Sequence, residues 1–239
     1  MPARTAGAPW ADDPPAHADA AADAPPPVYP TRLPPPGQWR FRLQQPGGAA
    51  EAVLDWQHDG QRYRLRFEAT AAGRPVVQQA SEGALGAAGL GPERFVDRRR
   101  GRSARAVNLD AAAGFARFSA TEVTAPAWAA TQDRLGWLLQ LAAVAQAAAA
   151  AGQPLPEVLL HVVDARGGSG LWRFVALGVG PVDTPAGPRP ARAFRHDPPQ
   201  PDGLRLEVWL DPAEHHRPLR LRQTVLRTGA VTEWLPAAP

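Results

Sequence analysis

From residue 38 onward the chain alternates apolar and polar positions with a period of two, over one short run after another. In "QWRFRLQ", Trp39, Phe41 and Leu43 stand against Gln38, Arg40 and Arg42, the spacing of a strand buried on one face. The run "AVLDWQHDGQRYRLRFEAT" repeats this on both sides of His58-Asp59-Gly60, where Asp-Gly suits the positive φ angles of a tight type I′ turn. Beyond that turn Tyr63, Leu65 and Phe67 share one face and Arg62, Arg64 and Arg66 the other. Further strands are predicted at 74–82, 93–99, 102–109 and 113–120, separated by glycine, Asn-Leu-Asp or Arg-Arg-Gly signals. Strands resume at "EVLLHVVDA" and "GLWRFVALGVG", and a proline-rich loop is expected at 181–190 before "RAFRH". The chain closes with "LRLEVWLD", "LRLRQTVLR" and "AVTEWL"; Leu204, Leu206, Val208 and Leu210 line one face, Arg205, Glu207 and Trp209 the other.

The period changes once. "TQDRLGWLLQLAAVAQAAAAAG" predicts a helix near 132–151, with Thr131 as N-cap, Asp133 in the first turn and Gly152 at its end. Leu135, Leu138, Leu139, Ala142 and Ala145 fall on one face, so the helix is expected to be amphipathic and to pack on the concave side of the sheet. It is too short, and too interrupted by Gln140 and Gln146, to cross a bilayer. With no helices alternating with the strands, a doubly wound sheet is excluded. The fold class is mainly β: an antiparallel, strongly curved sheet or incomplete β-barrel with one long helix packed against it. Residues 38–236 read as a single β-rich domain. Residues 1–37 are rich in alanine, proline and aspartate and read as a disordered arm or linker, with Trp10 and Tyr29 as the aromatic residues able to dock.

Composition adjusts this picture in two places. All 26 basic residues are arginine, so the sequence pI of about 10.4 reflects a base that stays protonated far into alkaline pH, while the net charge at pH 7 is only +3. A nucleic-acid partner does not follow from that pI. The absence of cysteine excludes disulfides and thiolate chemistry.

The densest cluster of reactive side chains is Asp211-Pro-Ala-Glu214-His215-His216. A metal-dependent hydrolase would need three or four such ligands converging, but adjacent histidines on extended backbone point to opposite sides, and Asp211-Pro212 opens a turn. The cluster is therefore read as the polar tip of a hairpin, with His215 and His216 titrating in solvent; Asp211, Glu214, His215 and His216 remain weak metal candidates. "GGSG" at 167–170 lacks the second glycine and the following helix of a nucleophile elbow and reads as a hairpin loop, and the glycines of 83–91 read as turns. Arg98, Arg99 and Arg100 in "RFVDRRRGR" are the candidate anion contacts; nucleic-acid binding through them is disfavoured because no aromatic RNA-binding signature accompanies them. No catalytic residues and no cofactor are assigned.

Several phrases, among them "LDWQHDGQRYRLRFEA", "PERFVDRRRG", "QDRL" and "LEVWLDP...PLRLR", resemble the bacterial family called domain of unknown function 3108, over about 29–234. The resemblance implies a β-rich domain of the periplasm or cell envelope. Residues 1–37 carry no apolar signal or anchor segment, which leaves a cytoplasmic location open. The expected function is non-enzymatic: an envelope-associated binding or scaffold domain, with a cleft for a lipid-like or peptidic ligand. Trp39, Trp56, Trp137, Trp172 and Trp209 are its candidate lining, and core packing is the competing reading for each. The partner expected is an apolar small molecule or an envelope protein.

Overall fold

Nearly every alternating run pairs with its neighbour in sequence, so the sheet is a meander. The computed structural model describes residues 25–238; Trp10 lies outside the described residues. The first half contains β1 (Gly37–Gln45), β2 (Gly48–His58), β3 (Arg62–Ala71), β4 (Arg74–Gly86), β5 (Gly89–Arg99), β6 (Arg105–Asp110), β7 (Phe115–Phe118) and β8 (Thr124–Pro126). After the short β9 (Gln132–Asp133) and the helix α1 (Gly136–Ala150) come β10 (Glu157–Val163), β11 (Ser169–Thr184) and β12 (Gly187–His196). Then β13 (Leu204–Asp211), β14 (Arg217–Val225) and β15 (Ala230–Pro236) complete the chain. β15 returns to β1, setting Trp234 opposite Leu43, and so joins the two halves into one sheet of fifteen strands among the described residues. Among the described residues its end strands β8 and β9 are not paired with each other. The sheet nevertheless curls until β9 lies against β5, and α1 touches β5 in one half and β14 in the other. The result is a strongly curved, incomplete barrel with a helix inside it.

That helix differs from the amphipathic one expected. Every residue from Gly136 to Ala145 is buried, because the sheet wraps the helix instead of offering it one face. Its buried Gln140 is held by backbone: Oε1 accepts from Leu90 N at 2.9 Å and Nε2 donates to Ala88 O at 2.7 Å. Gln132 adds a bond from Nε2 to Leu90 O at 2.8 Å, so two side-chain amides engage β5 as a strand edge would. The approach requires Gly89, which has φ +87° and where a Cβ would sit 2.3 Å from Gln140 Oε1. The start of the helix is also shifted. Gln132 and Asp133 pair with β10, so the helix begins at Gly136. Asp133 caps it from outside, Oδ1 accepting from Leu135 N at 2.8 Å and Gly136 N at 2.7 Å. Thr131, the expected cap, instead accepts from Trp128 N and bonds His161. Gly152, with φ +62°, follows the last turn as predicted.

Three other expectations change. The turn after β2 is not type I′: of Asp59 and Gly60 only Gly60 has positive φ, +92°, and the Asp59 carboxylate accepts from Gln61 N and Arg62 N. The proline-rich segment 181–190 is no loop but a ladder, pairing Pro181 with Pro190 and Asp183 with Pro188. Pro181, Pro188 and Pro190 share one parity of the ladder, the one whose missing N–H groups point away from the partner strand, and the fourth proline, Pro185, lies in the turn between the two strands. The arm, expected to be disordered to residue 37, is seated on the domain from residue 25. Pro26 and Pro34 are buried, Tyr29 Oη accepts from Leu159 N at 3.0 Å, Arg32 N donates to Ala143 O at 3.0 Å, and Pro34 O accepts from Trp56 Nε1 at 3.0 Å. Proline-rich backbone has unpaired carbonyls and little entropy to lose, which suits it to such docking. Among the described residues no helix is long and apolar enough to cross a membrane.

Replacing Gln140 with leucine keeps the volume but leaves Leu90 N and Ala88 O without their partner. The Gln140→Leu protein is expected to lose about 2 kcal/mol or more of stability in urea unfolding.

Candidate functional site

Alternation fixes which side chains face the helix. From β1, β3, β13, β14 and β15 the inward positions include Leu43, Phe67, Leu206, Leu221 and Trp234, all buried. Where the first turn of α1 fails to fill the space between them, a cavity of about 330 Å³ remains. Its apolar wall includes Phe67, Trp137, Trp172, Leu206, Leu221 and Trp234. Trp234 stacks on Phe67 with ring centroids 4.1 Å apart, and Trp137 stacks on Phe174 at 4.9 Å. The remaining lining is polar or basic: Gln45, Gln79, Gln223, Thr228 and Thr232, with Arg99, Arg134 and Arg227.

Of the five tryptophans singled out by sequence, this cavity brings together two, Trp137 and Trp172, with centroids 6.0 Å apart. Trp56 is fully buried between Tyr63, His58 and the arm. Trp39 is half-buried against the core, and Trp209 lies on the other face of β13 beneath the Arg220 guanidinium. Sequence reasoning did not select Phe67 or Trp234 for the site, although both stood at inward positions of their strands. Arg98, Arg99 and Arg100 do not act together: Arg98 and Arg100 are exposed, whereas Arg99 bonds Asp97 at 3.1 Å and reaches the cavity. Arginines alternate sides along a strand as any residue does.

The acidic and histidine cluster is a clamp, not a solvated tip. Asp211 is buried; Oδ1 accepts from Ala213 N to start a short 3₁₀ turn, and Oδ2 lies 3.0 Å from Arg189. Glu214 bridges Arg189 at 2.7 Å and Arg217 at 2.5 Å. His215 and His216 both adopt φ +55°, which sends them to different surroundings. His215 is exposed, but His216 is buried, its Nδ1 2.6 Å from Gln146 Oε1 on the helix, and burial holds its pKa below the usual value. The hairpin is thereby tied to β12 and α1. Among the described residues no group of three or more histidines, cysteines and carboxylates is placed to hold a metal. "GGSG" leads into β11 as a hairpin.

A buried polar chain escaped sequence reasoning altogether. Tyr63 Oη lies 2.9 Å from Ser81 Oγ, which donates to Asp133 Oδ2 at 2.5 Å. Nearby, His161 Nδ1 lies 3.1 Å from Thr131 Oγ1 and its ring meets Trp128 edge-on. These groups are closed off from solvent, and the serine and carboxylate tie the sheet to the start of the helix. Desolvation raises the Asp133 pKa to about 6, against the three hydrogen bonds that favour the carboxylate. Burial lowers His161 and His196 to about 4; His196 is stacked on Trp172 at 4.9 Å.

These shifts oppose each other in acid. A buried neutral histidine contributes stability that is present above its unfolded pKa of 6.5 and is lost as pH falls through 4. Asp133 does the reverse: its raised value gives stability that is full below 3.8 and is lost as pH rises through 6. Replacing Asp133 with asparagine keeps a cap and removes that proton. Comparing urea unfolding at pH 8 and pH 4, wild type is expected to gain about 2 kcal/mol relative to Asp133→Asn on acidification. Parallel pH dependences would show that the carboxyl does not titrate in this range.

No curated protein sequence matches the chain. A solved structure with the same fold is the crystal structure of a beta-barrel-like protein of domain of unknown function DUF1849 from Brucella abortus. The two superpose with a TM-score of 0.52 at 12% identity, over 87% of this chain and 97% of the other. At that identity the likeness is one of fold. Residues 40–232, which contain every lining residue of the cavity except Trp234, match the family described as "Protein of unknown function (DUF3108)", and the chain belongs to that family.

Proposed function

We propose that the protein is a non-enzymatic binding domain of the cell envelope that holds a lipid-like molecule inside its incomplete barrel. One observation carries this reading: the 330 Å³ space beside the first turn of the helix, walled by Phe67, Trp137, Trp172 and Trp234. Natural cores are packed to crystal-like density, and a gap this size forfeits contacts on every lining atom. A protein keeps such a gap at a cost in stability, which a bound apolar molecule offsets. The volume lies at the small end of the roughly 300–1,000 Å³ typical of ligand sites. The rigid frame also suits binding without chemistry. The polar groups nearest to a catalytic arrangement, Ser81 and Asp133, are consumed by structural hydrogen bonds away from the cavity. The envelope assignment rests on the family resemblance.

Filling the cavity from its rim tests this. Thr232 lines the space from half-buried β15, so Thr232→Trp introduces a ring with little disturbance of the core. Purified wild type is expected to enhance the fluorescence of the neutral apolar probe N-phenyl-1-naphthylamine, and Thr232→Trp to weaken that binding by tenfold or more at unchanged circular dichroism. Native mass spectrometry is expected to find an apolar molecule co-purifying with wild type and depleted from the variant. Probe binding that the variant does not affect would place the apolar surface elsewhere.

A further inference from the structure

Three neighbouring strands present their inward side chains to the cavity in rows. Leu43 of β1 stands opposite Trp234 of β15, and Trp234 opposite Leu221 of β14, so one row across the wall is apolar. Two residues further along each strand, on the same face, come Gln45, Thr232 and Gln223, with Thr232 and Gln223 directly paired. This second row is polar and carries no charge. Gln45 is the last residue of β1, and its Nε2 is buried without a hydrogen-bond partner among the described residues. A buried amide donor left unmatched costs the full desolvation of the group, so few are kept in a folded protein. The charged side chains of the same wall are engaged with the protein or stand in solvent. Arg99 bonds Asp97 at 3.1 Å, the Arg134 guanidinium lies 4.9 Å over the Trp172 ring, and Arg227 is exposed on the turn between β14 and β15.

Two carboxamides and a hydroxyl offer hydrogen-bond donors and acceptors together. A bare alkyl chain would leave the whole row unmatched. An oxyanion only accepts, and would leave the two amide oxygens without a donor. A head that carries hydroxyl groups beside an ester uses both kinds, and it enters without the loss of an ion's hydration. We infer that the cavity takes a single-chain amphiphile with an uncharged, hydroxyl-bearing head, of the monoacylglycerol kind. Its chain lies against Leu43, Trp234 and Leu221, and its head on Gln45, Thr232 and Gln223. The inference rests on the reading of this cavity as a ligand site. A volume of about 330 Å³ suits one alkyl chain better than the two of a membrane phospholipid.

The test is calorimetric titration of the full chain at pH 8, below micelle-forming concentrations, with three probes of equal chain length: 1-monodecanoylglycerol, decanol and decanoate. The glycerol ester is expected to bind at least tenfold more tightly than either of the others, with little dependence on added salt. Gln45→Leu and, independently, Gln223→Leu are expected to reduce that affinity several-fold while decanol binding persists, which also reports that the variant is folded. Thr232→Val, close in shape and half-buried, repeats the measurement where a glutamine variant does not fold. Decanol or decanoate binding as tightly as the glycerol ester, or a preference that every folded variant retains, would overturn the uncharged head and leave the apolar site standing. Failure of all three probes would overturn the site itself.

Discussion

A helix of sequence "GWLLQLAAVAQAAAA" has no polar side to give to water, and the rest of the architecture follows from burying it. A flat sheet covers one face of a helix. Covering every face of Gly136 through Ala145 requires strands on all sides, which is what a meander of fifteen strands curled back on itself supplies. Each large apolar side chain so buried contributes on the order of 1.5–3 kcal/mol. The polar groups that the helix carries inside must then be matched one by one. Gln140 and Gln132 borrow the backbone of β5 at Leu90, and Asp133 borrows Ser81 and the first free amides of the helix. These bonds fix the depth and rotation of the helix within the barrel.

The same constraint produces the cavity. A straight helix of small residues cannot fill the width of a curved sheet evenly. Alanines and Leu139, Leu141 and Val144 pack the later turns, and the first turn, with Gly136 at its start, leaves room beside Trp137 and Leu138. Large rings from β3, β11 and β15 line the gap and leave it unfilled. The described part of the arm crosses elsewhere, from Leu159 over Ala143 to Trp56, whereas the turns at Gln45–Pro46 and Arg227–Thr228 contribute to the cavity lining.

The Asp211–His216 segment shows how a reactive-looking sequence can be structural. Two positive φ angles in a row, a buried aspartate and two arginines spanned by one glutamate turn the chain within six residues. His216 then reaches the helix at Gln146. The chemistry that a metal or an acid–base pair would use is spent on holding β13 and β14 to α1.

Much of this was legible along the chain. Period-two alternation located most strands and their inward faces, because a strand buried on one side must repeat every second residue; Leu204, Leu206, Val208 and Leu210 are inward and buried as read. The helix was legible as a change of period. Its setting was not, since Leu135, Leu138 and Leu139 look the same whether the other face meets water or a second wall of sheet. The ladder of 181–190 was hidden because proline is excluded only where an amide must donate, and that parity is fixed by the partner strand. For the cavity, sequence supplied Trp137 and Trp172 but not Phe67 or Trp234, which lie far apart in the chain and meet only when β15 closes onto β1 and the sheet curls. Local spacing determines which way a side chain faces. Which other side chains it then meets is a property of the closed sheet, and that decided the site.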